Sequence, residues 1–303
     1  MRPCVECAAC IFRWTAERCA VGSDAAESFA LGRTLADRLS QEFYAEGNIG
    51  KISIDVLESV KEFVPRSSDY FRSIKTESNN AAERCLSAAA AFINTAKDEE
   101  ERFSRACCLS AAANVSPIGA PTRAFEFSEA AALYSGARQL PRIDGDLGHI
   151  IKDSHRVLFL ADNAGEIGFD SLLIQTLASI GLRVTLVVKM DPFFDDATMN
   201  DALYFGIDKT TDQILEADGI FIPGEKDDEL EDAYRRSEMI IAKGVLNFET
   251  HYGEPAKKHV LHLLKAKCSP IARLAGSVVG MPIVALNKSG ADASAVSISK
   301  QGG

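Results

Sequence analysis

Val157-Leu158-Phe159-Leu160-Ala161-Asp162-Asn163-Ala164-Gly165-Glu166-Ile167-Gly168 decides how this chain folds. An apolar run of five residues ends abruptly in two adjacent oxygen donors and a glycine-containing turn. A run of that length, without alternation, reads as a strand covered on both faces, which belongs to a parallel sheet. In an open parallel sheet the loops after the strands converge at one edge, and the following helix N-termini favour anions there. Asp162 and Asn163 are therefore expected at a ligand-binding edge, where their oxygens suit a hard cation such as Mg²⁺ or Mn²⁺.

Short apolar runs recur through the second half of the chain, at 184–188, 219–222, 239–242, 260–264 and 283–286, with amphipathic segments between most of them. That alternation predicts a three-layer α/β/α fold with a mostly parallel sheet. The first half differs. Residues 4–20, 25–46, 50–63, 66–76, 79–96 and 98–113 carry alanine, leucine and charged residues at helical spacing, so an N-terminal helical bundle is expected. The reading divides the chain into a helical unit, 1–145, and an α/β unit, 146–303. Residues 116–122 form a break inside the first, and the Gly-Ala-Ser-rich tail from residue 288 is expected to fray.

With 303 residues, 47% of them hydrophobic, the chain can bury a large core. Its net charge of -10 argues against a nucleic-acid or anionic-membrane partner. No stretch approaches the roughly 18 apolar residues of a membrane span, and the N-terminus has no apolar run of signal-peptide type. A cytoplasmic protein is the expectation.

Topology tightens the site. One strand-helix-strand unit separates Asp162 from Asp196, and a right-handed crossover would return both to the same sheet edge. Asp195 and Asp196 could instead cap the helix that follows. Lys243-Gly244 and Lys265-Ala266-Lys267 end two further predicted strands, where an ammonium could neutralise a phosphate or simply be solvated. Glu166 could orient a water or favour a helix N-terminus, and Asp170 reads as a first-turn or surface acid.

Eight cysteines in a chain this long do not suggest a disulfide framework. Cys4-x2-Cys7-x2-Cys10 has the spacing of metal ligands for Zn or Fe but lacks a paired fourth ligand; on a helix the three thiols would share one face and could pack as core. The five histidines include no H-E-x-x-H pair, and neither a Walker loop nor a G-x-G-x-x-G fingerprint occurs. Trp14 reads as core.

Together, Asp162-Asn163-Ala164-Gly165-Glu166, Asp195-Asp196-Ala197-Thr198, Lys243-Gly244 with Asn247-Phe248-Glu249, and the Lys267-Cys268 ending resemble the damage-control phosphatase family, also known as domain of unknown function 89. The N-terminal cysteines and Asn114 are similar to its stand-alone archaeal and bacterial branch. The resemblance implies a hydrolase: a phosphatase that uses a divalent metal (Mn, Mg, Co or Ni) on small phosphate monoesters such as sugar phosphates or damaged phosphometabolites. It implies that Asp162, Asn163 and Asp196 hold the metal, and that Lys243, with Lys265 or Lys267, contacts phosphate. Glu166 is a further candidate for the substrate side. Two departures stand out: Asp195 replaces a common Asn, and Val115-Ser116-Pro117 follows Asn114 where the family tends to have an Asp-Phe-Gly-like segment.

Two other function classes fit parts of the chain. One is an S-adenosylmethionine-dependent carboxyl methyltransferase, compatible with the glycine turn after the first strand. The other is a non-enzymatic thiol-metal or redox module centred on Cys4, Cys7 and Cys10.

Overall fold

A computed structural model describes residues 1–191, 193–224, 228–253 and 258–287; the tail expected to fray lies outside them. The first half is helical: α1 (Val5–Cys19), α2 (Ala25–Glu42), α3 (Ile49–Glu58), a 3-10 segment (Lys61–Ser67), α4 (Ser68–Asn94), α5 (Glu99–Ala112) and α6 (Ser128–Tyr134). Then come β1 (Ile143–Asp144), α7 (Leu147–Asp153), β2 (Arg156–Leu160), α8 (Glu166–Ser179), β3 (Arg183–Lys189), α9 (Met199–Tyr204) and β4 (Gln213–Ala217). The chain continues through α10 (Asp228–Arg236), β5 (Met239–Lys243), α11 (Gly244–His251), β6 (His259–Lys265), α12 (Ser269–Leu274) and β7 (Pro282–Asn287).

The strands form one sheet in the order β1-β7-β6-β5-β2-β3-β4. All neighbouring pairs are parallel except β6 with β7. From β2 the chain winds outward through β3 to β4, then returns to β5 on the other side of β2. The order therefore reverses between β2 and β5, the crevice where open α/β sheets bind ligands.

Alternation along each strand explains why both faces are covered. Val157 and Phe159 of β2 join one core with α4, α5 and α8, while Leu158 and Leu160 join a second with Leu230 of α10. A third core gathers α1, α2 and α3 against Phe248, Leu264 and Ile283. Helical-half residues Ile74, Phe103 and Leu109 thus share a core with Phe159, Leu186 and Ile241 of the sheet. Among the described residues no helix is long and apolar enough to cross a membrane.

Three expectations are corrected. The predicted helices at 66–76 and 79–96 are one helix, α4. Ser78, between the two predicted helices, and Asn79, the first residue of the second, are buried and bonded: Ser78 Oγ accepts from Phe125 N (2.9 Å), and Asn79 Oδ1 accepts from Gly165 N (2.6 Å). The strand expected at 219–222 lies earlier, at Gln213–Ala217. It is an edge strand paired only to β3, so Gln213 and Glu216 remain exposed and hid its character. Asp170 is not a surface acid but fully buried.

Phe169 of α8 is fully buried, with its ring 5.1 Å from that of Phe127, and it sits in the core shared by both halves. Phe169→Ala should cost about 3–5 kcal/mol. Urea unfolding followed by both fluorescence and circular dichroism should give one shifted transition; two separate transitions would mean that the halves do not share a core.

Candidate functional site

The loops after β2 and β3 are zipped together by backbone bonds. Asp162 O accepts from Ala197 N (2.8 Å), Asp195 O accepts from Ala164 N (2.8 Å), and Asn163 pairs with Asp196 as an isolated antiparallel bridge. The Asp162 and Asp196 side chains consequently meet at the cavity beyond the sheet edge. This cavity of about 150 Å³ is lined at one end by Asp162, Asn163, Asp195, Asp196, Lys189 and Lys267.

Asp162 is fixed from two sides. Its Oδ2 accepts from Asn163 Nδ2 (2.6 Å) and from Asn114 Nδ2 (2.8 Å). Asn114 follows the C-terminal end of α5 and also donates to Glu166 Oε2 (2.8 Å), while its Oδ1 accepts from Lys265 N (3.2 Å). One amide thus ties α5 to the ends of β2 and β6. Gly244 permits the approach of Asp162: its φ is +77°, and a Cβ there would stand 1.9 Å from Asp162 Oδ2.

Lys243 sits behind this surface. It is fully buried, and its Nζ donates to Glu166 Oε1 (2.6 Å), Asp170 Oδ1 (2.7 Å) and Ser110 O (3.2 Å). Burial alone would lower its pKa, but the carboxylates of Asp170 and Glu166 outweigh burial and push it up to about 12. All three ammonium protons are committed, and Lys243 does not line the cavity. Glu166 is equally occupied, accepting from Lys243, Asn114 and Asn163. Lys265 turns away to pair with Glu129 at 3.0 Å. Of the lysines expected at phosphate, Lys267 is the one that reaches the cavity.

Lys189 was not singled out in the sequence, although its place at the end of β3 was a usable signal. Its Nζ donates to Gly219 O (2.6 Å), and its charge faces Asp196. Burial lowers the pKa of both Lys189 and Lys267.

Asp195 is accounted for by Arg18 of α1. The two form a buried ion pair, with Ser116 Oγ also donating to Asp195. The guanidinium lies 5.6–5.7 Å from the ring centroids of Trp14, Phe71 and Phe194. The extra acid, relative to the Asn common in the resembled family, therefore carries its own counter-charge. Neither Arg18 nor this pairing was legible beforehand.

Burial, with repulsion from neighbouring carboxylates, pushes Asp162 up to about 6 and Asp196 up to about 7. Two carboxylates on joined loops, together with Asn163 Oδ1, whose amide nitrogen is committed to Asp162 and Glu166, form a fitting donor set for a hard divalent cation. Such ions are commonly held by one or two carboxylates, with substrate phosphate and water completing the shell.

The thiols are arranged differently. Cys4 caps α1, with its Sγ 3.2 Å from Cys7 Sγ, and Cys7 and Cys10 line the cavity. Burial raises Cys7 to about 12 and Cys10 to about 11, so both thiols are protonated near neutral pH in the metal-free protein, the form that is a poor nucleophile. Among the described residues no three His, Cys, Asp or Glu side chains gather closely enough to hold an ion.

The model of the damage-control phosphatase ARMT1-like domain matches residues 4–281. An uncharacterised protein of Methanocaldococcus jannaschii is 28% identical over 91% of this chain and 92% of its own length. A damage-control phosphatase of Archaeoglobus fulgidus is 40% identical over 42% of this chain and 45% of its own. One of Pyrococcus horikoshii is 34% identical over 41% and 44%. The crystal structure of a DUF89 family protein from Pyrococcus horikoshii superposes with a TM-score of 0.76, covering 96% of this chain and 100% of that one at 20% identity.

Two outcomes follow for the site. Gly244→Ala should displace Asp162, destabilise the fold by roughly 1–3 kcal/mol and abolish Mn²⁺ binding by calorimetry; unchanged Mn²⁺ affinity would contradict the close packing of Gly244 on Asp162. The second concerns pH. Because Asp196 titrates at about 7 rather than at 3.8, the unfolded chain ionises first, so the metal-free fold loses stability as pH rises between those values. A cation that needs both carboxylates ionised restores it, so Mn²⁺ should raise Tm more at about pH 8 than at about pH 5.5. An equal shift at both would mean that Mn²⁺ does not bind there.

Proposed function

Since the chain belongs to the damage-control phosphatase family with the ARMT1-like domain, we propose that it is a phosphatase acting on small phosphate monoesters with a divalent cation. The observation that carries this reading is the meeting of Asp162, Asn163, Asp196, Lys189 and Lys267 in one cavity at the sheet's switch point. The chain's likeness to damage-control phosphatases of Archaeoglobus fulgidus and Pyrococcus horikoshii supports phosphatase chemistry over methyl transfer.

Asp162, Asn163 and Asp196 would hold the cation, which when bound supplies Lewis-acid neutralisation of phosphoryl oxygens. Lys267 brings a second positive charge to the same end of the cavity and positions the phosphate. Lys189 favours the ionised form of Asp196 against burial and the neighbouring acids. Lys243, Glu166 and Asn114 are positioning residues that hold Asp162 in place from behind. Phosphoryl transfer depends chiefly on positioning and charge neutralisation, and this constellation provides both.

The test is phosphate release from an aryl phosphate by chelator-stripped protein, with Mg²⁺, Mn²⁺, Co²⁺ or Ni²⁺ restored one at a time. Activity should return with a cation, fall by at least about 100-fold in Asp162→Ala and Asp196→Ala, and show a raised KM in Lys267→Met. Persistent metal-dependent release in both aspartate variants would place the site elsewhere, and silence with every cation would remove the phosphatase reading.

A further inference from the structure

The cavity's lining falls into two chemically distinct groups of residues. Beyond the carboxylates and lysines, its wall is built from Ile11 and Trp14 of α1, Ile54 and Leu57 of α3, Phe193 of the loop after β3, and Leu246 of α11. Apart from Asn163, no Asn, Gln, His, Thr or Tyr side chain among the described residues lines it. The two hydroxyls present already donate within the protein, Ser53 to Ile49 O (2.9 Å) and Ser116 to Asp195. Arg18 is bound to Asp195, Ser116 and Pro117 O.

Beyond the Trp14 indole N–H and the thiols of Cys7, Cys10 and Cys268, the remaining polar side chains of the lining are acidic. Glu6 and Glu58 face the cations Arg273 and Lys61, and Glu249 is one carboxyl on the side of Cys10 and Cys268. One carboxyl can serve a single hydroxyl, not the ring of hydroxyls that a sugar carries. Nor would this wall welcome a second anionic group, because its acidic side chains, Glu6, Glu58 and Glu249, would repel it. A buried hydroxyl without a partner is unfavourable, whereas a hydrocarbon against Ile, Leu, Phe and Trp is favoured. The cavity's volume of about 150 Å³ is shared with the charged residues, so only a small carbon body can lie against the apolar wall.

We propose that the site takes phosphate monoesters whose carbon body is apolar, a branched alkyl chain or a single aromatic ring, in preference to sugar phosphates. This inference rests on the phosphatase reading and deepens it. The phosphate meets the Asp162, Asp196 and Lys267 end, and the hydrocarbon lies between α1, α3 and α11.

The decisive comparison uses the full chain with Mn²⁺ and two primary alkyl esters matched in leaving group, 3-methylbutyl phosphate and ribose 5-phosphate. The branched ester should have the higher kcat/KM by about 10–100-fold. Leu246→Asn and Ile54→Asn, both at half-buried positions on different helices, should each narrow that ratio. Calorimetry with 3-methylbutylphosphonate reads the wall without turnover, with a negative heat-capacity change expected on binding. Equal or better use of ribose 5-phosphate would overturn the proposal and leave the phosphatase reading standing. Hydrolysis of neither ester, nor of an aryl phosphate with any cation, would remove that reading and the proposal with it.

Discussion

The ammonium of Lys243, buried without solvent contact between Glu166 and Asp170, is the interaction on which the site depends. It joins the end of β5, the first turn of α8 and, through Ser110 O, the C-terminal part of α5. These are the elements that flank the reversal between β2 and β5. Removing the ammonium alone would strand two buried carboxylates, a loss of roughly 3–5 kcal/mol. The same pairing restrains Glu166, which accepts from Asn114 and Asn163, and these in turn hold Asp162. A charge that never reaches the cavity thereby fixes the carboxylate that does.

This arrangement separates holding from acting. Lys243, Glu166, Asp170 and Asn114 satisfy one another behind the sheet edge, whereas Asp162, Asp196, Lys189 and Lys267 crowd the cavity with charges that burial makes unfavourable. Raised aspartate and lowered lysine pKa values express that cost, which a cation and a phosphate dianion would together relieve. Arg18 extends the same logic to Asp195. Its guanidinium, caged by Trp14, Phe71 and Phe194, pairs with the extra acid and opposes the repulsion that Asp195 exerts on Asp196.

The fold class and the strand-end position of Asp162 were legible because five consecutive apolar residues followed by Asp-Asn is a pattern local to the sequence. The crossover rule then brought Asp196 close to Asp162. What local pattern could not show was which polar groups tertiary partners would absorb. The burial of Ser78 and Asn79 within α4 was not legible because their partners, Phe125 and Gly165, lie far away in sequence. Lys243 looked like a phosphate ligand because nothing in Lys-Gly announces Asp170, one helical turn beyond Glu166, as its second partner. β4 was misplaced because an edge strand exposes alternate polar residues and loses the continuous apolar signature of its neighbours. Arg18 gave no signal at all, standing in an unremarkable helical segment 177 residues from Asp195.

The account's central claim is that Lys243 supports the site from behind while Asp162, Asn163 and Asp196 face the cation. A crystal structure of the protein soaked with Mn²⁺ and inorganic phosphate, with anomalous scattering to locate the metal, tests it most directly. The account predicts an Mn²⁺ peak bounded by those three side chains, phosphate against Lys267, and Lys243 still between Glu166 and Asp170. Phosphate seated on Lys243, or a metal peak at the N-terminal thiols alone, would contradict it.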